Sequence, residues 1–248
     1  MTQVKKISVV IPAKDEERSI EHTASQIRQV LDQAGLDFEI VLVNDNSSDQ
    51  TPQIMERLAL ADPRVVVVHR VAPSGFGRAV RDGLLAASGD MVVIFMADLS
   101  DEPSDIIKYY RKIQEGYDCV FGSRFIRGSS VDGYPGYKLL INRLGNFFIQ
   151  CLFLLKNNDI TNAFKAYRRE AIKATLPLMA DHFNITVELP LKAVVRGFSY
   201  ATVPINWHGR KAGTSKHKLD ELQKKYLFSV FYVFLEKIFL RDDLRKTN

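Results

Sequence analysis

Val92–Pro103 reads VVIFMADLSDEP: an apolar run that ends at Ala97, then Asp98, Asp101 and Glu102 within five positions. A short run rich in Val and Ile is the pattern of a buried strand. Carboxylates directly after it lie at the strand's carboxyl end, the edge where open α/β sheets bind ligands. Hard oxygen ligands there suit Mg²⁺ or Mn²⁺, and those ions suit phosphates. The same letters fit an acidic helix start, with Ser100 or Asp101 as cap, Pro103 in the first turn and Glu102 at the positive helix end. The surrounding chain shifts the balance toward a ligand edge.

On either side the pattern repeats. Apolar runs at Ile7–Pro12, Phe38–Val43, Val65–Val68, Met91–Met96 and Cys119–Phe121 predict strands. Helical spacing predicts helices at Ser19–Ala34, Pro52–Ala61, Arg78–Ala87 and Pro103–Glu115. This alternation predicts an α/β fold with a Rossmann-like, mostly parallel sheet flanked by helices. Each strand is followed by polar or glycine-rich residues: Lys14-Asp15-Glu16, NDNSSD (Asn44–Asp49), APSGFG (Ala72–Gly77), ADLSDE and GSRF (Gly122–Phe125). In a parallel sheet all of these open on one edge and converge on one crevice.

The second half is less regular. It predicts a helix over Tyr137–Lys156, a short strand within Ile160–Tyr167, a helical turn at Ala171–Thr175, a helix over Thr186–Val195 and a strand at Tyr200–Ile205. A basic loop, Trp207–Lys218, precedes an apolar run, Tyr226–Leu240. Residues 1–220 are expected to form the catalytic domain and residues 221–248 an apolar, basic helical tail.

The chain has 248 residues, 46% of them hydrophobic, as in ordinary globular proteins. Its net charge of +5 is concentrated between His208 and Lys225. Such clusters favour polyanions, whether nucleic acid, anionic lipid or a phosphorylated substrate, though a solvated charged face is the commoner case; the partners expected of the whole chain are a phosphorylated substrate and a membrane surface, with no nucleic acid. Cys119 and Cys151 fit two buried thiols in a reducing compartment. The final apolar run holds about 15 residues before Arg241, short of the roughly 20 that a membrane span requires. Lys224 and Lys225 could hold it in a membrane interface. Packing on the core, on a second copy or on a membrane-anchoring partner are the alternatives. A nicotinamide dehydrogenase is not expected, because Gly75-Phe76-Gly77 follows the third strand and no GxGxxG opens the first helix.

PAKDE (Pro12–Glu16), NDNSSD, GFGRAV (Gly75–Val80), ADLSDEP, GSRF and RKAGTSK (Arg210–Lys216) occur in the order seen in family 2 nucleotide-sugar glycosyltransferases. Over residues 7 to 220 the chain most resembles their dolichyl- or polyprenyl-phosphate mannosyl- and glucosyltransferase branch. The resemblance implies the glycosyltransferase-A fold, a nucleotide diphosphate-sugar donor (GDP-mannose or a UDP-sugar), a lipid phosphate acceptor and a divalent metal. It implies work at the cytoplasmic face of a membrane. By position it sets Pro12, Ala13 and Glu16 near the nucleoside, Asp45 on the base, and Gly75 and Ala97 along the donor. Asp98 matches the second acid of the Asp-x-Asp metal motif, and Ser100 a polar position that helps the metal. Arg210 and Lys216 match the basic pair on the diphosphate; Arg124 and Arg143 match arginines facing the acceptor phosphate. Met96 stands where the first metal-motif Asp is usual, Lys14 replaces an aromatic and Asp15 an Asn. The metal set is then Asp98 and Ser100, with Asp101 as a further ligand.

Chemistry separates the acceptor classes. A hydroxyl acceptor needs a base in reach, and the five histidines lie in no catalytic pattern. A phosphate monoester has a second pKa of about 6 and is already an anion; it needs planar cations such as Arg124 and Arg143 to place it. Either arginine could instead pair structurally with Asp118 or Asp159. Glu188, inside an apolar helix, is the best candidate for a base or an acceptor-loop anchor, with a buried, salt-bridged carboxylate as the alternative.

Overall fold

The expected alternation appears as β1 (Lys6–Ala13), α1 (Ile20–Gln33), β2 (Asp37–Asn44), α2 (Thr51–Ala61), β3 (Val65–His69), α3 (Phe76–Ala86), β4 (Met91–Ile94), α4 (Asp105–Gln114) and β5 (Cys119–Ser123). The structure, a computed structural model, describes residues 3–209 and 219–240, with side chains from 224 onward in the second segment. The remaining elements are β6 (Ser130–Asp132), α5 (Gly136–Phe153), β7 (Lys165–Arg168), α6 (Arg169–Thr175), α7 (Ile185–Val195), β8 (Tyr200–Pro204), β9 (Asn206–His208) and α8 (Leu219–Phe239).

The main sheet has the order β3-β2-β1-β4-β7-β5-β8. β7 runs antiparallel to both β4 and β5, while β8 is parallel to β5. β5 therefore keeps the direction of β1 to β4, and the loops after all of them open on one edge. Because β7 is reversed, the loop that enters it opens there too.

Both faces of the central strands β1, β2 and β4 are covered, which is why these strands are mostly apolar. One core gathers Ile20, Ile27 and Leu31 of α1, Met55 of α2 and Ile106 and Tyr109 of α4 against Val9, Ile11 and Val93. The other gathers Val80 of α3, Ile149 and Phe153 of α5, Leu189 of α7 and Val230 and Val233 of α8 against Val10, Val41 and Val92. α8 is thus packed into the second core, against α7. A parallel two-stranded ribbon, β6 with β9, pairs Val131 with Trp207 at the sheet's end. The loop expected from Trp207 thus begins within β9, because a strand of three residues carries no periodicity.

Candidate active site

The crevice wall begins where β1 and β2 end. The carbonyl of Ala13 accepts the N–H of Asp45 at 2.9 Å. Asp15 donates its N–H to Ser47 Oγ at 3.0 Å, and its Oδ1 accepts the N–H of Ser48 at 2.8 Å. Glu16 donates its N–H to Thr51 Oγ1 at 2.8 Å, and its carboxylate accepts Ser19 Oγ at 3.0 Å. PAKDE and NDNSSD are therefore laced into one wall, with Pro12 and Ala13 buried beneath it. Asp15, Asn46 and Leu99 hold left-handed φ of 55°, 59° and 52°. Side chains seldom adopt such angles, and where they do the site is often functional; here each follows a strand at the ligand edge.

Asp45 is the hub of the next loop. Its Oδ1 is ion-paired with Arg70 Nη1, and its Oδ2 accepts the N–H of Gly75 at 2.7 Å. Arg70 Nε also reaches Asp82 at 2.6 Å. Both carboxylate oxygens of Asp45 are thus engaged by the chain itself. Gly75 is required by close approach: a Cβ there would lie 2.3 Å from the carbonyl oxygen of Asp181.

The segment that abuts Gly75 is held from behind by Glu188. Glu188 is fully buried and accepts the N–H of Met179 at 2.8 Å and of Ala180 at 2.6 Å. Its Oε1 lies 3.2 Å from Lys192 Nζ, which is 3.6 Å from Glu236 of α8, itself 3.2 Å from Arg196. The expectation of a general base at Glu188 is thereby corrected: no solvent reaches it and its lone pairs are taken. The buried, salt-bridged anchor is what the structure holds.

In the stretch after β4, the carbonyl of Ala97 accepts Thr23 Oγ1 at 2.7 Å, and Asp98 Oδ1 accepts the N–H of Ser100 at 3.1 Å. Asp98 is half-buried at the edge. Asp101 is 2% exposed, its backbone bridged to Trp207, and its Oδ1 has no hydrogen-bond partner. Burial first, and then Asp98, Asp105 and Asp159 against the opposing pull of Arg124, push its carboxyl up to about 8. Asp101 is thus buried where Asp98 is half-buried. Among the described residues no cluster of three or more His, Cys, Asp or Glu could hold an ion alone.

Arg124 forms a two-pronged pair with Asp159, Nε to Oδ2 at 2.8 Å and Nη2 to Oδ1 at 2.7 Å. Its guanidinium lies 5.3, 5.6 and 5.9 Å from the ring centres of Phe125, Tyr134 and Trp207. It is 8% exposed, so the structural pairing weighed in the sequence is present. Arg143, on α5, is half-buried, donates Nη1 to the carbonyl of Asn158 at 2.9 Å and lies 4.4 Å over Phe125. Phe125 thus joins the two arginines. Beside them Lys165 is buried and gives Nζ to the carbonyls of Ile160 at 2.9 Å and Thr186 at 3.2 Å. Burial pulls its amine down to about 7 against the raising field of Asp159.

Arg210 and Lys216 lie outside the described residues. Sequence reasoning passed over Arg70 and Trp207. Arg70 sits one residue past β3, and its partner Asp45 follows the neighbouring strand β2, 25 residues earlier, which gives no local signal. Trp207 is the single tryptophan of the chain, and it lies within three positions of the basic motif. The reading of two buried thiols is also corrected: Cys119 is buried and Cys151 exposed, neither in a disulfide, because Cys151 lies on the outer side of α5.

A mostly parallel sheet with one reversed strand and ligand loops along its carboxyl edge is the glycosyltransferase-A architecture. The glucosyl-3-phosphoglycerate synthase of Mycobacterium tuberculosis, solved with UDP, superposes with a TM-score of 0.69 at 22% identity, over 93% of this chain and 80% of that one. The same enzyme with Mn²⁺, UDP and glucosyl-3-phosphoglycerate gives 0.68 at 24%, over 94% and 80%. At that identity the likeness is one of fold. The chain belongs to glycosyl transferase family 2, whose profile matches residues 8–176. The dolichol-phosphate mannosyltransferase of Pyrococcus furiosus is 34% identical over 216 residues, 86% of this chain and 59% of that protein, so the chain spans less than two thirds of that relative. The polyprenol monophosphomannose synthase of Mycolicibacterium smegmatis is 30% identical over 214 residues, 84% of this chain and 79% of that one.

Proposed function

We propose that this protein moves a hexose, with inversion, from a nucleotide diphosphate-sugar to a polyprenyl or dolichyl phosphate at the cytoplasmic face of a membrane. The observation that carries this reading lies on α5. Arg143 shares that helix with an exposed apolar ridge of Leu140, Ile141, Leu144, Phe147 and Phe148. A phosphate head on a hydrocarbon tail matches that sequence of chemistry. α8 continues the ridge through Phe231, 6.4 Å from Phe148. Its inner side buries Val230 and Val233 with Ser229 and Glu236, while Phe228, Phe231, Leu235 and Ile238 face outward. Such a face favours an apolar environment over water. Among the described residues no helix is long and apolar enough to cross a membrane, so the reading is of a surface held from one side. The two relatives are named for mannose and for dolichol or polyprenol carriers.

Breaking the sugar–diphosphate bond builds negative charge on the leaving group, and fixed positive charge lowers that barrier. Asp98, with Ser100 beside it, suits a Mg²⁺ or Mn²⁺ that draws its remaining ligands from the diphosphate and water, and the ion would supply Lewis-acid neutralisation there. Arg210 and Lys216 would add to it. The acceptor phosphate is already anionic, so no base has to take its proton. Arg143 positions it, with Arg124 fixing Phe125 behind. A hydroxyl acceptor would need a base, and the one candidate on α7 is locked in the core.

The test is transfer itself. Labelled GDP-mannose or UDP-glucose, Mn²⁺ and polyprenyl phosphate in vesicles should yield a sugar that extracts into organic solvent. Arg143→Ala should lower the yield roughly tenfold or more, the scale of a lost charged phosphate contact, with donor affinity kept. Label found only in water-soluble acceptors, or full activity in Arg143→Ala, would overturn the lipid acceptor.

A further inference from the structure

Phe125, Tyr134 and Trp207 surround the buried Arg124 yet are themselves only half-buried. Tyr134 and Trp207 lie 5.1 Å apart at a tilt of 50°. Asp159 grips the edge of the Arg124 guanidinium, which leaves its faces to the rings. The arginine thus acts as the rivet of an aromatic wall. Trp207 is fixed twice more, by its backbone bridge to Asp101 and, through its neighbour, by the N–H of His208 on the carbonyl of Ser100 at 2.9 Å. The wall therefore stands between the Asp98–Ser100 turn and Arg143, which shares Phe125 with it.

On the transferase reading, the first of these flanks takes the diphosphate and the second the acceptor phosphate. What lies between two phosphates in such a reaction is the sugar. A pyranose presents apolar C–H faces and polar edges, and aromatic faces with polar neighbours match it. We infer that the indole of Trp207, backed by Tyr134, is the floor of the hexose subsite and sets how strongly the sugar, as opposed to the nucleotide, is held. This inference rests on the transferase reading but needs no turnover for its test.

Because Trp207 is the single tryptophan of the chain, its emission reports this wall alone. The full-length protein is titrated with GDP, GDP-mannose, UDP and UDP-glucose, with binding followed in parallel by calorimetry. The expected result is an emission change at saturation that is larger for a nucleotide-sugar than for its nucleoside diphosphate. Trp207→Leu should lose about tenfold of the sugar's added affinity and keep that of the diphosphate, while Trp207→Phe keeps both. Equal emission changes with and without the sugar, or an unchanged affinity ratio in a Trp207→Leu protein that melts like wild type, would overturn the subsite alone. Should Trp207→Leu fail to fold, the wild-type emission comparison decides. If no nucleotide or nucleotide-sugar binds at all, the subsite and the transferase reading fall together.

Discussion

At the scale of single residues, the buried charges divide into those that hold the fold and those that face the crevice. Glu39 on β2 belongs to the first kind: it takes hydrogen bonds from Lys6 Nζ at 2.8 Å and from the hydroxyls of Ser8 and Ser88, each at 2.6 Å. Burial alone would raise its pKa, but these bonds outweigh it and hold the carboxyl at about 2, below its ordinary 4.5. A folded-state pKa below the unfolded one stabilises the fold above pH ~4.5, and that stability drains away as pH falls toward about 2. Glu39→Gln should cost about 2–3 kcal/mol at neutral pH and flatten the acid limb of a denaturation profile taken between pH 5 and 2. An unaltered acid limb would refute the linkage. Glu188→Gln distinguishes anchor from base. Unpairing a buried charge beside Lys192 should lower stability by about 3 kcal/mol, seen as an earlier thermal melt, whereas a lost base would leave melting untouched and remove turnover only.

At the scale of elements, the first half of the chain was readable because β1, β2, β4 and β5 are buried along nearly their whole length and each helix carries one apolar stripe. Starts and ends of β1 to β5 fall within a few residues of the sequence pattern. The insertion of β7 between β4 and β5 was not readable: KAYR has too few residues for periodicity, and its partners lie far along the chain. The sequence left the packing of α8 open, because its apolar residues go nearly all round; Val230, Val233 and the buried carboxylate of Glu236, paired with Arg196 and Lys192, show which side faces the core. The outward side makes its own prediction. Phe228→Glu with Phe231→Glu should abolish co-sedimentation with anionic vesicles and leave turnover of a detergent-dispersed acceptor within a few-fold of wild type. Vesicle binding that survives both changes would reassign this face to a second copy of the chain or another protein.

At the scale of the whole molecule, the site's legibility followed the same division. Motifs near a strand end, such as Asp98 and Asp45, could be placed from spacing alone, since the sheet dictates where such ends meet. Pairings across the sequence could not: Asp45 with Arg70, Arg124 with Asp159, Glu188 with a segment eight or more residues before it. One of these long-range ties has a wider consequence. Lys225, near the start of α8's described side chains, reaches Asp181 at 2.7 Å, and Asp181 presses its carbonyl against Gly75, whose N–H holds Asp45. Under the proposed function, a displacement of the outer helix would reach the loop that carries Asp45 through this chain of contacts. Thermodynamic reciprocity makes the traffic two-way: whatever factor a docked bilayer adds to donor affinity, a bound donor must add to docking. An enzyme so wired would gather on its lipid when supplied with sugar nucleotide and drift off when starved of it.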